Sequence, residues 1–566
     1  MSPPVTVVEL RVLDGPNLYF PRPAVKLTLA VPGWMRAADG TVTRVATDLG
    51  FGSLTPGEAG TDARRRTTAR IAKQLTRGIA RAAGTRQLAV RGRLDTAPDQ
   101  IVIAFPWRRR GSAEALAIAA ADALTLTLRR APAPVIDQLG ARVAGVDPGP
   151  EPSVPDPTIP VIQVTGTNGK TTTVRLLAHL VRSAGLRVAY SCTDGVYQGD
   201  DELIEPGDFS GFAGSARALA AGPDVAVLET ARGGMLLRGS GVLHNDVAVV
   251  TNVSEDHLGL HGIDTVDQLA EVKAVPTRIT RPDGWDVLNA DDPRVLAMRR
   301  HATGRPWLFS TDPRHPAFRD VLPAGGRAMT VADGTITWLE GDMTHPLVAV
   351  QDVPMTLAGL SEVNIANVMA AAAAALGVGI APRAVIRGLK TFVLDQERNP
   401  GRANLFQLNG RIIVIDYAHN TAGMISLTQV LRGLCRAGHQ VWLAIGTAGD
   451  RTDPILHSFA LQAALGSDHL RIAELDRYLR GRNRQDIIDR LREGAAQAGV
   501  PDVPAYPDEL QALQAMCASA DPRDVVGITA LAKRAEIFKW LDTSGATRMT
   551  PATVRRLVRR VKEEQT

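Results

Sequence analysis

Apolar positions set the frame of this chain. Residues 5–13 and 25–31 alternate apolar with polar side chains at the two-residue period of strands, and the turn Asp14-Gly-Pro-Asn17 separates them. A 3.6-residue rhythm predicts a helix over about 61–83, then a strand at 101–105 and an alanine-rich helix. From about residue 158 the rhythm changes. Short apolar runs at 161–164, 225–229, 247–252 and 287–289 are separated by helix-length stretches, the alternation of a parallel, doubly wound sheet. Segments 327–331 and 335–339, joined at Asp333-Gly334, predict a small antiparallel excursion. A second alternating unit begins near Arg402, with runs at 412–416, 441–445, 470–474 and 525–529. The last stretch opens on Thr550-Pro551 and repeats apolar residues at 554, 557, 558 and 561, which predicts a basic amphipathic docking helix.

The expected fold class is therefore α/β in three parts. Residues 1–145 are read as a small α+β domain. Pro148, Pro150, Pro152, Pro155 and Pro157 make 146–157 an extended linker, because proline neither donates to a ladder nor continues a helix. Residues 158–400 form a central domain on a mostly parallel sheet, and 401–566 a C-terminal α/β, Rossmann-like domain. A length of 566 residues agrees with several domains at roughly 150 residues each. Hydrophobic content of 45% and charged content of 22% are those of a globular protein. The excess of 64 Lys+Arg over 59 Asp+Glu is too mild to imply nucleic acid. Cys192, Cys435 and Cys517 lie far apart, which argues against a disulfide framework or zinc site and fits a reducing compartment. The first residues lack the pattern of a signal peptide, and the uncharged run 368–382 is shorter than the roughly 20 residues of a membrane span. No membrane association and a cytoplasmic location are expected.

The strongest chemical signal is Val161-Ile-Gln-Val-Thr-Gly-Thr-Asn-Gly-Lys-Thr-Thr-Thr173. An apolar strand feeds a glycine turn and a helix opens at Lys170. Backbone N–H groups of Gly166, Thr167, Asn168 and Gly169 can close on phosphate oxygens at that helix start. Lys170 is placed to reach the β/γ-phosphates and the Thr171 hydroxyl to ligate Mg²⁺. The general phosphate-loop pattern wants glycine at position 164, where this chain has Val164.

The loop Gly166-Thr-Asn-Gly-Lys-Thr-Thr172 resembles that of the Mur ligase superfamily, which has this shortened form. The resemblance runs in order over about 158–566, through Leu228-Glu-Thr-Ala-Arg-Gly-Gly234, Thr251-Asn-Val-Ser-Glu-Asp-His-Leu-Gly-Leu-His-Gly262, Asn289-Ala-Asp-Asp292 and Asp416-Tyr-Ala-His-Asn420. The Glu-Thr-Ala-Arg-Gly-Gly segment, Gly449-Asp-Arg451, Tyr478-Leu-Arg-Gly-Arg482 and the early Leu13-Asp-Gly-Pro-Asn-Leu18 resemble the cyanophycin synthetase branch most. That branch carries an ATP-grasp domain between its two matching parts, where the proline linker stands here. The resemblance implies ATP and Mg²⁺ as cofactors. It assigns Thr171, Glu229, His257 and a carbamylated Lys273 to metal, and Lys170 to catalysis with Glu229, His257 and Lys273. Gly166 to Thr172, Asn289, Asn364, Arg402, Asp416 and His419 would bind nucleotide, and Asp450, Arg451 and Asp453 would position the amine. Val363 and Thr421 depart from the family pattern beside Asn364 and after Asn420.

The activity implied is that of an ATP-dependent ligase, which forms an amide through an acyl phosphate by adding an amino acid to a side-chain carboxylate of an acidic peptide or polymer. Either a separate ATP-grasp enzyme would supply the acceptor or the substrate differs, and the family also implies a homo-oligomer. Residues 1–145 would anchor the acceptor, with Arg64, Arg65, Arg66, Arg70, Lys73, Arg77 and Arg81 along one helix and Arg108 to Arg110 after a strand. A solvated helix face accounts for the same residues. No stacking platform accompanies them, so nucleic acid is not expected. The alternatives are a cell-wall ligase acting on UDP-linked muropeptides and a nucleotide-binding regulator without ligase activity.

Overall fold

The computed structural model describes residues 5–52, 54–256 and 258–565. Among the described residues the strands form three sheets, of four, eleven and seven strands. In the first, Thr6–Leu13, Ala24–Ala30, Gln100–Pro106 and Arg91–Leu94 lie side by side, all antiparallel. Helices Asp62–Ala82, Arg110–Thr127 and Pro132–Ala144 pack on it, and Leu27, Ile71, Leu75, Ile103 and Phe105 share their core.

The helix Asp62–Ala82 corrects one expectation. Arg64 is fully buried and donates to the carbonyls of Trp34, Ala37, Pro56 and Gly57, besides pairing with Asp39. Arg65 is buried as well, on the carbonyls of Asp95 and Ala97 and on Asp62. Both guanidinium groups thus tie the surrounding loops to the helix and offer no surface to an acceptor. Arg66 and Arg70 remain exposed.

The large sheet runs in the order Met343–Ala349, Thr335–Glu340, Arg327–Ala332, Arg305–Ser310, Thr280–Asn289, Asn245–Val250, Val161–Thr165, Val225–Glu229, Val188–Cys192, Gly195–Gln198, Glu202–Pro206. Its centre is parallel and its two edges are antiparallel. The antiparallel excursion thus extends the main sheet, because Arg327–Ala332 pairs in parallel with Arg305–Ser310. Helix Glu362–Gly377 lies against this sheet and against Lys170–Ser183. Ala370 to Ala375 are fully buried, and short side chains let the backbones approach closely. A methyl built on Gly377 would lie 3.1 Å from Trp285 Cδ1.

The third sheet is ordered Ala505–Tyr506, His469–Ala473, Val441–Ile445, Val525–Thr529, Arg411–Asp416, Asn404–Leu408, Thr547–Arg548. It is parallel up to Arg411–Asp416 and antiparallel beyond. The terminal helix Pro551–Gln565 buries Val554, Val558 and Val561 and reaches back through Arg555 to Asp352 at 3.2 Å. Residues 146–157 hold no helix or strand. They are tied down by Gly111 N–H to Pro148 O (2.8 Å) and Leu243 N–H to Pro155 O (2.9 Å). The turn after the first strand also docks on the middle part. Arg238 donates to Asp14, Ser240 N–H donates to Pro16 O at 2.6 Å, and a methyl on Gly15 would sit 1.8 Å from Ser240 O. Among the described residues no helix is long and apolar enough to cross a membrane.

Candidate active site

Strand Val161–Thr165 and helix Lys170–Ser183 hold the glycine loop between them at the carboxyl edge of the parallel strands, where open α/β sheets receive ligands. Gly166 has φ +145° and Gly169 has φ +86°. A methyl on Gly166 would meet Thr251 Oγ1 at 1.9 Å, and one on Gly169 would meet Asn367 Oδ1 at 2.3 Å, so both positions require glycine. The loop is braced from the neighbouring strand end. Asn168 N–H donates to Asn252 Oδ1 (2.9 Å), Thr251 Oγ1 donates to Asn168 O (2.6 Å), and Thr167 N–H donates to Asn252 O (2.9 Å). Lys170 Nζ folds onto Thr167 O at 2.9 Å.

The adjacent strand ends in Glu229, in register with Val164. Its carboxylate is 1% exposed and accepts from Thr171 Oγ1 (2.8 Å), Thr193 Oγ1 (3.0 Å) and Thr193 N–H (3.3 Å). Three donors make its burial tolerable and fix its orientation. Lys273, the last residue of helix Val266–Lys273, is buried and donates to Gly166 O at 2.5 Å. Burial, then Lys170 and Arg232, hold its amine well below the ordinary lysine value, against the opposing pull of Asp256 and Glu229. His257 lies outside the described residues. Its neighbour Asp256 lines the cleft and pairs with Arg451 at 3.2 Å.

The C-terminal part supplies the facing wall of a cleft of about 1040 Å³. Asn420 and Asn168 exchange reciprocal amide hydrogen bonds across it, at 2.9 and 3.2 Å. Arg402 lies over the Tyr417 ring at 4.8 Å, and its buried Nε has no hydrogen-bond partner among the described residues. Asp416 accepts from the N–H groups of Ala403 and Ala418, both at 2.8 Å, and burial raises its carboxyl above the ordinary aspartate value. His419 sits with Nδ1 3.0 Å from Tyr417 O. Burial, with Arg451 and Lys170 nearby, pushes its imidazole down to about 4 although Asp256 opposes this, so it is neutral at pH 7. Asn289, Asn364, Asp450 and Arg451 line the same cleft. Asp453 does not; at the start of helix Asp453–Gly466 it pairs with Arg482 and Arg490, which draw it away.

Several cleft residues carry no signal in the sequence. Thr193 and Asp194 follow the short strand Val188–Cys192, and Arg534 opens helix Arg534–Thr543; none belongs to a motif with a mechanism. Asn367 and Asn420 stand inside recognisable segments, yet Thr173, which donates to Asn367, and Asn168, which pairs with Asn420, are distant in sequence. The cleft fits a nucleotide on its own chemistry, through the glycine cradle and the unpartnered Nε of Arg402. Among the described residues no group of three or more His, Cys, Asp or Glu gathers as a metal cage. Thr171 and Glu229 fit a hard cation that keeps its remaining ligands as water and phosphate oxygens.

Comparisons with known proteins agree with this geometry. Residues 164–375 match the Mur ligase middle domain and residues 401–530 the Mur ligase, glutamate ligase domain. The cyanophycin synthetase of Geminocystis herdmanii is 39% identical over 368 residues, 65% of this chain and 40% of that enzyme, so the chain spans well under half of that relative. The UDP-N-acetylmuramyl-tripeptide synthetase of Deinococcus radiodurans is 30% identical over 383 residues, 66% of this chain and 73% of that protein. Among solved structures, E. coli FolC in complex with DHPP and ADP shares the fold, with a TM-score of 0.51 at 21% identity over 69% of this chain and 90% of that one.

Proposed function

The chain belongs to the Mur ligase family, and from that premise we propose that it is an ATP-dependent ligase joining an amine to a carboxylate as an amide. The observation that carries this reading is the two-walled cleft. A phosphate loop with the buried Glu229 carboxylate stands on one side, and Arg402, His419 and Arg451 stand on the other. A nucleotide-binding regulator would need only the first wall.

In the reaction we propose, the acceptor carboxylate takes the γ-phosphoryl group of ATP, and ADP departs. The amine then adds to the acyl carbon, and the tetrahedral intermediate expels phosphate to leave the amide. Lys170 would leave Thr167 O to meet the phosphoryl oxygens, and Arg402 would complete their charge from the facing wall. Glu229 and Thr171 would hold a divalent cation, Mg²⁺ in this reading, which when bound neutralises charge on the transferring group. The low-pKa amine of Lys273 can add CO₂ and release a proton, becoming a carbamate anion beside that site. The docked C-terminal part keeps water from the activated acyl group.

For the substrates, the likeness to cyanophycin synthetase supports an acidic peptide or polymer acceptor and an amino acid as amine. Exposed Arg66 and Arg70 and half-buried Lys73 and Arg77 offer an anion-binding row on the first part. Burial, then Arg77 and Arg70, lower the Lys73 amine, a sign that these charges repel one another. A separate ATP-grasp enzyme would make the acceptor backbone. The match to a tripeptide synthetase favours UDP-linked muropeptide as the second reading. The deciding experiment measures ATP-dependent phosphate release with pooled amino acids and either aspartyl and glutamyl peptides or UDP-muropeptide, with products read by mass. An acidic peptide heavier by one amino-acid residue supports the reading; turnover of UDP-muropeptide alone supports the second; phosphate release without a new mass defeats both.

A further inference from the structure

Strand Val188–Cys192 ends in the turn Thr193-Asp194, whose two side chains face different partners across the cleft. Thr193 donates twice to the Glu229 carboxylate, from Oγ1 at 3.0 Å and from its backbone N–H at 3.3 Å. Asp194 accepts from Arg534 of the C-terminal part at 3.0 Å through Oδ1, and from Arg175 of the phosphate-loop helix at 3.2 Å through Oδ2. Arg175 donates onward to Arg398 O and Arg534 to Pro400 O, both at 3.2 Å, in the segment joining the two parts. The side chains are largely withdrawn from water, with Arg175 3%, Asp194 14% and Arg534 26% exposed. Burial alone would raise the Asp194 carboxyl, but Arg402, Arg534 and Arg175 outweigh it and hold it below the ordinary aspartate value. One dipeptide therefore touches the Glu229 carboxylate on one side and the docked C-terminal part on the other.

Resting on the ligase reading, we propose that the Thr193-Asp194 turn couples docking of the C-terminal part to the setting of Glu229, with Asp194 as a positioning residue. With Arg175 on one oxygen and Arg534 on the other, the Asp194 carboxylate cannot rotate, and the preceding Thr193 is held in register with Glu229. Withdrawal of Arg534 frees one oxygen of a nearly buried charge, and the turn relaxes toward Arg175. Glu229 then loses the fixed pair of donors that aims it at the cation. Docking of the C-terminal part thus sets the cation site as well as closing the cleft.

The competing account is that Asp194 merely folds the middle part through Arg175, and Arg534 distinguishes the two. In the full chain, Arg534→Met should raise the Mg²⁺ concentration for half-maximal binding of a non-hydrolysable ATP analogue, measured by calorimetry, by about 10-fold or more. The melting temperature should fall by no more than a few degrees, because Arg175 still pairs with Asp194. Asp194→Asn should do the same to the Mg²⁺ dependence, the double variant should be no worse than the more affected single one, and Arg534→Lys should recover part of the effect. An Arg534→Met variant with wild-type Mg²⁺ dependence, or effects of the two single variants that simply add, would overturn the proposal. Analogue binding needs no acceptor, so the coupling is decided even if every acceptor fails in turnover, an outcome that would count only against the ligase reading.

Discussion

Asp286 should make this protein lose stability as pH rises toward neutrality. It lies in the middle of strand Thr280–Asn289, fully buried, with Thr280 Oγ1 donating to one oxygen at 2.7 Å and Gly304 N–H to the other at 2.9 Å. Burial outweighs those two donors and raises its carboxyl from 3.8 to about 7. The unfolded chain has lost this proton by about pH 4, whereas the folded chain keeps it until about pH 7. Between those values the folded state binds more protons, so stability falls as pH rises, by about 1.4 kcal/mol per pH unit. The whole span is on the order of 4 kcal/mol, and the part between pH 5 and 8 is about 3 kcal/mol. Asp286→Asn removes the titration while keeping both contacts. Its amide oxygen accepts from Gly304, its NH₂ donates to Thr280 Oγ1, and that hydroxyl donates to Pro276 O, now 3.2 Å away. At about 2–4 °C per kcal/mol for a domain of this size, the wild type should lose roughly 6–12 °C of melting temperature relative to the variant between pH 5 and pH 8. Scanning calorimetry of both proteins across that range measures it, and every other titrating group cancels in the difference. Parallel curves would refute the reasoning.

Three further outcomes are expected. Lys170→Ala should lower ATP-dependent phosphate release by on the order of 10²–10³-fold with an unchanged melting temperature, and near-normal turnover would remove Lys170 from the site. Gly169→Ala forces a methyl into Asn367 at φ +86° and should abolish nucleotide binding; an unaltered dissociation constant in a fluorescent-ATP titration would contradict the cradle. Arg66→Ala with Arg70→Ala should raise KM for a long acidic acceptor more than for a short one at constant melting temperature, while Arg64→Met should instead destabilise the first part by a few kcal/mol, because it strands buried carbonyls; equal KM effects on both acceptors would refute the anchoring role.

The α/β class was legible because it rests on local pattern. Runs such as Ile412 to Asp416 and Val525 to Thr529 are long, apolar and bounded by turn residues, and each is a strand. Val188–Cys192, with Ala, Ser and Cys among its residues, has no such signature, although all five are buried between neighbours. The site divides in the same way. The glycine loop and the strand-end Glu229 announce themselves through residue type and adjacency. Asp194 and Arg534 stand 340 positions apart, and Asn168 and Asn420 stand 252 apart. No periodicity relates them; only the packing of one sheet edge against another brings them together. Asp453 fails for the converse reason, since its motif placed it beside the cleft but Arg482 and Arg490 pull it outward.

The arginines show why composition alone misdirects. Guanidinium carries five donors and no acceptor, so a buried arginine can satisfy carbonyls of several loops at once. Arg64 does this for the segments around Trp34 and Pro56, Arg65 for Asp95 and Ala97, and Arg175 for Arg398 in the segment between the cleft walls. Each is a structural tie whose charge is spent on the protein's own backbone and carboxylates. The net charge of +5 therefore overstates how basic the surface is to a partner. An acidic acceptor would meet only the residues left exposed, among them Arg66, Arg70 and Arg81 on helix Asp62–Ala82. At physiological ionic strength such exposed charges are screened beyond about 8 Å. Attraction of a long acidic chain must then come from direct contact with that row, and its advantage over a short acceptor should fade as salt is raised.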